Sequence, residues 1–360
     1  MTRTRAPRLG LIVALLSAVA LLAGGLPRQK AAVPPTTTRP TLAQAWPQAA
    51  RADLRDLGLD PLLFLDATTP VGTVETSDGR FINLLIEYRD KSGAITGDGR
   101  RELRRLPSSA RFDNLTKAGD HLLWTETSED GRTEIWVLDT KTGKSPKKLT
   151  SDTGNILLYG TQYDLVVADN RVHWAAADDD KATEIRSIPL TGGPVDKNTE
   201  KGQWALSAWP WLTDDVGGQS GEIRLRNRET RETRTITAGP AEWTMCSPAW
   251  CRVMVNSAAG LARIDLMRPD GSERRRIAGP GTQAAVNDVA VLDRFEILSE
   301  PRPDSDLTGT AGLIVHDVRT GTTVTLSAAA DLAASRDGML WWSTGSREAT
   351  VWHTLDLRTA

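Results

Sequence analysis

One hairpin pattern recurs along most of this chain, and it constrains the fold more than any other feature. Its clearest copy runs Asp120-His121-Leu122-Leu123-Trp124-Thr125-Glu126, turns at Asp130-Gly131, and returns as Thr133-Glu134-Ile135-Trp136-Val137-Leu138-Asp139. The returning strand reappears as Glu184-Ile185-Arg186, Glu222-Ile223-Arg224, Arg263-Ile264-Asp265, Leu313-Ile314-Val315 and Val351-Trp352-His353. From Ile135 the steps are 50, 38, 41, 50 and 38 residues. A weaker copy upstream pairs residues 81–86 with 102–106. Roughly 40 to 45 residues hold four short strands and their turns, which is the size of a β-propeller blade. The count of hairpins predicts an all-β propeller of seven blades. Six is the alternative if the first copy only completes another blade.

The strands are rich in Val, Ile, Leu, Thr and Trp and end at turn formers: Asp130-Gly131, Gly192-Gly193, Pro269-Asp270-Gly271 and Thr320-Gly321. No long amphipathic helical pattern occurs over residues 61–360, the span assigned to the propeller. Residues 42–59 have room for a short helix, which Pro47 limits. Propellers commonly close by lending an N-terminal strand to the last blade, which removes an open edge. Leu62-Leu63-Phe64-Leu65 is the expected closing strand, beside residues 351–357.

Residues 1–30 stand apart. Arg3, Arg5 and Arg8 precede an uncharged stretch of 18 residues, 9–26, followed by Arg28 and Lys30. This is a signal peptide or a signal anchor, and both readings place the rest outside the cytoplasm, membrane-anchored or secreted. Contact with the membrane is expected only through residues 9–26. Residues 31–60 form a Pro/Thr linker and a short N-terminal segment. Residues 1–30 hold five basic and no acidic residues, so the remainder carries 39 basic against 46 acidic. That balance argues against nucleic acid as a partner. Cys246 and Cys251 are the only cysteines. In an exported chain they are expected to form one disulfide.

The repeated copies resemble the TolB-like propellers of exported bacterial proteins. Pro61-Leu62-Leu63-Phe64-Leu65-Asp66, Tyr163-Asp164-Leu165-Val166-Val167-Ala168-Asp169, Cys246-Ser247-Pro248-Ala249-Trp250-Cys251 and Val351-Trp352-His353-Thr354-Leu355-Asp356-Leu357 carry the resemblance. It covers residues 60–360 and implies an exported propeller working in envelope protein complexes.

Candidate sites are few. With 12 Trp against 3 Tyr and 4 Phe, the aromatic chemistry is mainly indole. Trp124, Trp136, Trp174, Trp341, Trp342 and Trp352 fall inside strands and are expected between blades. Trp209-Pro210-Trp211 sits where a strand meets a loop and is the candidate binding surface, a rigid stacking platform for a sugar or a partner's proline. His121, His173, His316 and His353 occupy different places in the repeat and are not expected to converge on a metal. Asp304 and Asp306 have the spacing of calcium-loop oxygens but lack the rest of the pattern. No Gly-x-Ser-x-Gly occurs. Two turns, at Asp139 and Asp317, match those of quinone-cofactor propellers, but Lys147 and Thr325 stand where a docking Trp belongs, so no cofactor is expected. These residues lead to a protein-binding scaffold in the cell envelope. The alternatives are a carbohydrate-binding propeller recognising cell-wall glycan, and a hydrolase or lyase with a carboxylate site in the central channel.

Overall fold

The computed structural model describes residues 39–360 apart from 91, 143, 180, 216–220, 259, 347 and 348. The signal or anchor expected over residues 1–30, and the linker up to residue 38, lie outside the described residues. Among the described residues no helix is long and apolar enough to cross a membrane.

Seven antiparallel sheets follow one another along the chain, so the ring is a seven-bladed β-propeller. Blade 1 comprises Asp60–Asp66, Thr69–Glu75, Phe81–Arg89 and Ile95–Pro107. Blade 2 comprises Arg111–Ala118, His121–Thr127, Thr133–Asp139 and Lys147–Thr150. In blade 3, Asn155–Ile156 and Val166–Ala168 both pair with Arg171–Asp179, followed by Ala182–Pro189 and Asp196–Lys201. Blade 4 comprises Ala205–Leu206, Trp211–Thr213, Glu222–Asn227 and Thr233–Thr237, and blade 5 Glu242–Cys246, Cys251–Ser257, Gly260–Met267 and Arg275–Ala278. Blade 6 comprises Gln283–Ala284, Phe295–Glu300, Ala311–Asp317 and Thr322–Ala330. Blade 7 takes Ala333–Arg336, Met339–Thr344 and Val351–Asp356 from the C-terminal end of the chain and its outer strand, Arg51–Arg55, from the N-terminal side.

That last pairing corrects the sequence expectation. Arg51 to Arg55 lie opposite Leu355 to Val351. Residues 62–65 instead belong to the innermost strand of blade 1. Two apolar residues decide the matter. Leu54 is buried with Phe64, Met339 and Trp341 between blades 7 and 1. Trp46, just upstream, meets the Phe295 ring edge-on at 5.5 Å. Residues 40–59 are therefore packed into the ring. The weak first hairpin is also displaced by one strand: it joins the third and fourth strands of blade 1, with Ile82 opposite Leu106.

The central strands are apolar on both faces because every blade is sandwiched between two others. Leu122 and Trp124 point toward blade 1, whereas Leu123 between them points toward blade 3. Trp341 likewise packs toward blade 1 while Leu340 and Trp342 pack toward blade 6. Apolar clusters join every neighbouring pair of blades around the ring. Trp124, Trp174, Trp341 and Trp342 are buried in these clusters as expected, and Trp136 and Trp352 are half-buried.

Candidate functional site

All first strands of a propeller run in the same direction, so the turns between first and second strands gather at one end of the central channel. Two of these segments depart from a plain turn. In blade 3 the inner strand breaks after Ile156 and resumes at Val166, leaving residues 157–165 as an inserted loop. Asp164 organises that loop. One of its oxygens accepts the N–H groups of Tyr159 and Gly160 at 2.9 and 2.7 Å, and the other accepts the Thr161 hydroxyl at 3.0 Å. Gly160 has φ +73°, a conformation glycine adopts without a steric cost.

The second departure is residues 285–294 in blade 6. Ala290, Leu292 and Asp293 all have left-handed backbone, with φ of 48, 58 and 56°. A non-glycine residue there is destabilised by about 1–2 kcal/mol, so the surrounding contacts must hold the segment. Arg252 of blade 5 does so. It is fully buried, pairs with the equally buried Glu296, and donates to the carbonyls of Asn287 and Asp288 at 3.3 and 2.7 Å. The other Glu296 oxygen accepts the Ala290 N–H at 2.8 Å. A buried ion pair and its hydrogen bonds thus hold the strained segment that carries Asp288.

Gln162 links the two segments. Its amide acts on the Asp288 carboxyl, and its oxygen accepts the Asp337 N–H at 3.3 Å. Asp337, in the first turn of blade 7, in turn accepts the Lys117 N–H of blade 2 at 2.9 Å. Burial raises the pKa of Asp164, Asp288 and Asp337. For Asp288 the value is pushed up to about 6, with the charge of Asp164 adding to burial and Arg336 and Arg252 opposing it. The three differ in one respect. Asp164 and Asp337 accept backbone amides, whereas Asp288 faces a cavity of about 350 Å³. Tyr159, Tyr163, Leu206, Asp215, Met245 and Asn287 are among the residues that share its wall. On the far side of the inserted loop, Arg336, Asn114 and Gly160 line a second space of about 390 Å³.

The sequence-predicted platform is not brought together. Trp209 stacks on His173 at 3.8 Å within the cluster between blades 3 and 4. Trp211 packs into the cluster between blades 4 and 5 under the Arg234 guanidinium, 4.3 Å from its ring. The two indoles diverge, and the ring face a sugar would need on Trp211 is covered by Arg234. Asp304 pairs with Arg302 at 3.2 Å beside Asp306, in an exposed loop between the second and third strands of blade 6. His316 bonds Thr323 and His353 bonds Asp53, each in its own sheet. Among the described residues no three His, Cys, Asp or Glu are placed to hold a metal. Cys246 and Cys251 do form the disulfide, closing the first turn of blade 5. Sequence reasoning missed Asp288, because nothing in its neighbourhood marks it among 46 acidic residues.

No family model and no curated protein matches the chain. Among solved structures it is similar to prolyl endopeptidases, with a TM-score of 0.51 and 12% identity over 98% of this chain and 54% of theirs. The chain thus spans about half the length of those enzymes. It is also similar to an oligogalacturonate lyase solved with manganese (TM-score 0.49, 14% identity, 79% of this chain and 81% of that one). TolB from Acinetobacter baumannii gives a TM-score of 0.38 and 11% identity, over 80% and 79%. At such identities the likeness shows the propeller fold alone.

Proposed function

We propose that the chain is an exported, TolB-like propeller, tethered through residues 9–26, that docks a protein partner of the cell envelope. The observation that carries the reading is a run of guanidinium–aromatic stacks on blades 4 to 6, at the end of the ring where the first turns gather. Arg228 lies over Trp209, Arg234 over Trp211, Arg268 over Trp250 and Arg294 over Phe295, at 5.3, 4.3, 3.7 and 4.3 Å. Arg and Trp are the residue types that concentrate binding energy at protein interfaces. The disulfide supports an oxidising compartment. The test is crosslinking of full-length protein in its own cells, followed by purification and mass spectrometry. An envelope protein that is enriched by wild type and lost in Arg234→Ala/Arg268→Ala supports the reading. Enrichment of none, or enrichment indifferent to those substitutions, sinks it.

A second reading, a hydrolase or lyase acting in the channel, is supported by Asp288, whose raised pKa suits proton transfer near neutral pH. Its test is turnover of an envelope glycan or peptide that disappears in Asp288→Asn.

A further inference from the structure

The cavity beside Asp288 has a chemistry distinct from the guanidinium–aromatic stacks next to it. Among the described residues its lining includes two carboxylates, Asp215 and Asp288, and no Lys, Arg or His. Asp215 accepts the Cys246 N–H at 3.3 Å. Tyr159 and Tyr163 supply aromatic rings, Leu206, Met245 and Val289 an apolar wall, and Thr161, Ser207 and Asn287 further polar atoms. The cations that act on Asp288 stand elsewhere. Arg252 is committed to Glu296 and to two backbone carbonyls. Arg336 lines the other space, across the inserted loop, and keeps a buried Nη1 without a hydrogen-bond partner. The remaining groups that act on Asp288 are Asp164, which repels, and the neutral Gln162 amide. The Tyr163 hydroxyl lies within the field of Asp288, Asp293 and Asp337.

We infer that this cavity binds a small organic cation, a protonated primary amine carried on a compact apolar body. An ammonium group placed beside Asp288 and Asn287 has acceptors for its N–H donors. The Tyr159 and Tyr163 rings in the lining add aromatic surface, which favours the same charge. Leu206, Met245 and Val289 accommodate the body. Anions are disfavoured by the two carboxylates in a poorly solvated site. The volume lies at the small end of ligand pockets, which start near 300 Å³. This site opens among the first-turn segments of blades 3 to 6, next to the proposed docking stacks, and amine binding is read without any partner present.

The experiment titrates full-length protein calorimetrically with cyclohexylamine and its uncharged isostere cyclohexanol, at about pH 7.5 and about pH 5. The amine is expected to bind at least about tenfold more tightly than the alcohol at the higher pH. The amine stays charged at both pH values, while Asp288 takes up a proton as pH falls through about 6, so the preference should shrink at the lower one. Binding of the amine should also release protons at intermediate pH, read as a dependence of the heat on buffer ionisation. Asp288→Asn should abolish the preference, and Asp304→Asn, on a remote loop, should keep it. The inference is overturned by alcohol binding as tight as amine binding, by no amine binding at either pH, or by a preference that survives Asp288→Asn. If Asp288→Asn does not fold, the pH comparison on wild type decides alone. Failure of the amine leaves the crosslinking test of the docking face untouched.

Discussion

The seam where the ring closes and the channel at its centre treat their polar groups in opposite ways. At the seam several polar groups pair from strand to strand, although the buried Trp341 Nε1–H has no partner. His353 Nδ1 meets Asp53 at 2.6 Å, its Nε2 meets Thr344 at 2.8 Å, and its ring stacks on Trp342 at 5.3 Å. Thr354 donates to Ala67 at 2.7 Å, and Arg89 donates to the carbonyls of Arg55 and Asp56. In the channel, Arg336 Nη1 and Ser335 Oγ are buried without partners, Ala290, Leu292, Asp293 and Asp337 are left-handed, and a carboxyl faces a cavity. Buried, poorly compensated polar groups lower stability and persist where a site needs them. The seam is built for cohesion and the channel for recognition.

The largest effect is expected where channel strain meets its support. Glu296→Ala leaves Arg252 buried and unpaired and releases the Ala290 N–H, so it should destabilise by about 3–5 kcal/mol. Chemical denaturation measures this, and a loss under about 1 kcal/mol would mean that the 285–294 segment is held by something else. At the seam, Leu54→Ala removes a fully buried side chain from the cluster with Phe64, Met339 and Trp341, for about 3 kcal/mol. Leu307→Ala, at a position 91% exposed, should change stability by no more than about 0.5 kcal/mol. Equal losses at Leu54 and Leu307 would contradict the assignment of Arg51–Arg55 as the closing strand.

The comparison sharpens through pH. The Asp288 carboxyl is raised to about 6 by burial, so the folded state holds its proton more tightly than the unfolded chain. Its stabilising contribution is complete below the unfolded value near 4 and is lost as pH rises through about 6. Relative to Asp288→Asn, wild type should therefore lose on the order of 2–3 kcal/mol between pH 4 and pH 8. Asp164 and Asp337 shift in the same direction and remain in both proteins, so the difference between the two melting profiles isolates Asp288. A difference that is flat with pH would remove Asp288 from the account.

How far each region could be read from sequence follows from strand length. Third strands such as Thr133–Asp139 and Ala311–Asp317 are 7 residues long, each carries a buried Ile, and both are bounded by turns, so the repeat was legible from them. The inner strands of blades 4 and 6 are 2 residues long, too short to show alternation, and the segments after them hold the channel. Asp288 and the inserted loop were therefore invisible, although Tyr163 and Asp164 fall in a stretch that resembles other propellers. The closing strand Arg-Ala-Asp-Leu-Arg has one fully buried residue, Leu54, and reads as a polar linker. The stretch 62–65 reads as the better strand and is one, in blade 1. The disulfide was legible because two cysteines leave one pairing. The indoles of Trp209 and Trp211 were misread as one surface, because side chains two apart share a face only within a continuous strand, and Trp209 precedes the strand that begins at Trp211.

The smallest effect tests whether the seam's polar ladder contributes much beyond its apolar core. Asp53 is 74% exposed and His353 21%, so their contact is screened by water on one side. Such a pair contributes up to about 1 kcal/mol. Asp53→Asn keeps an acceptor for His353 and should cost a few tenths of a kcal/mol, about a tenth of the Leu54→Ala loss. His353→Ala removes the ring from Trp342 as well, so its cost should exceed that of Asp53→Asn. If Asp53→Asn instead rivals Leu54→Ala in denaturation, the ladder holds the closing strand in place, and the seam is as polar in its energetics as the channel. The burial of Leu54, complete where Asp53 is open to solvent, argues for the first outcome: the ring closes on its apolar contacts, and the Asp53–His353–Thr344 ladder sets the register of a strand already held.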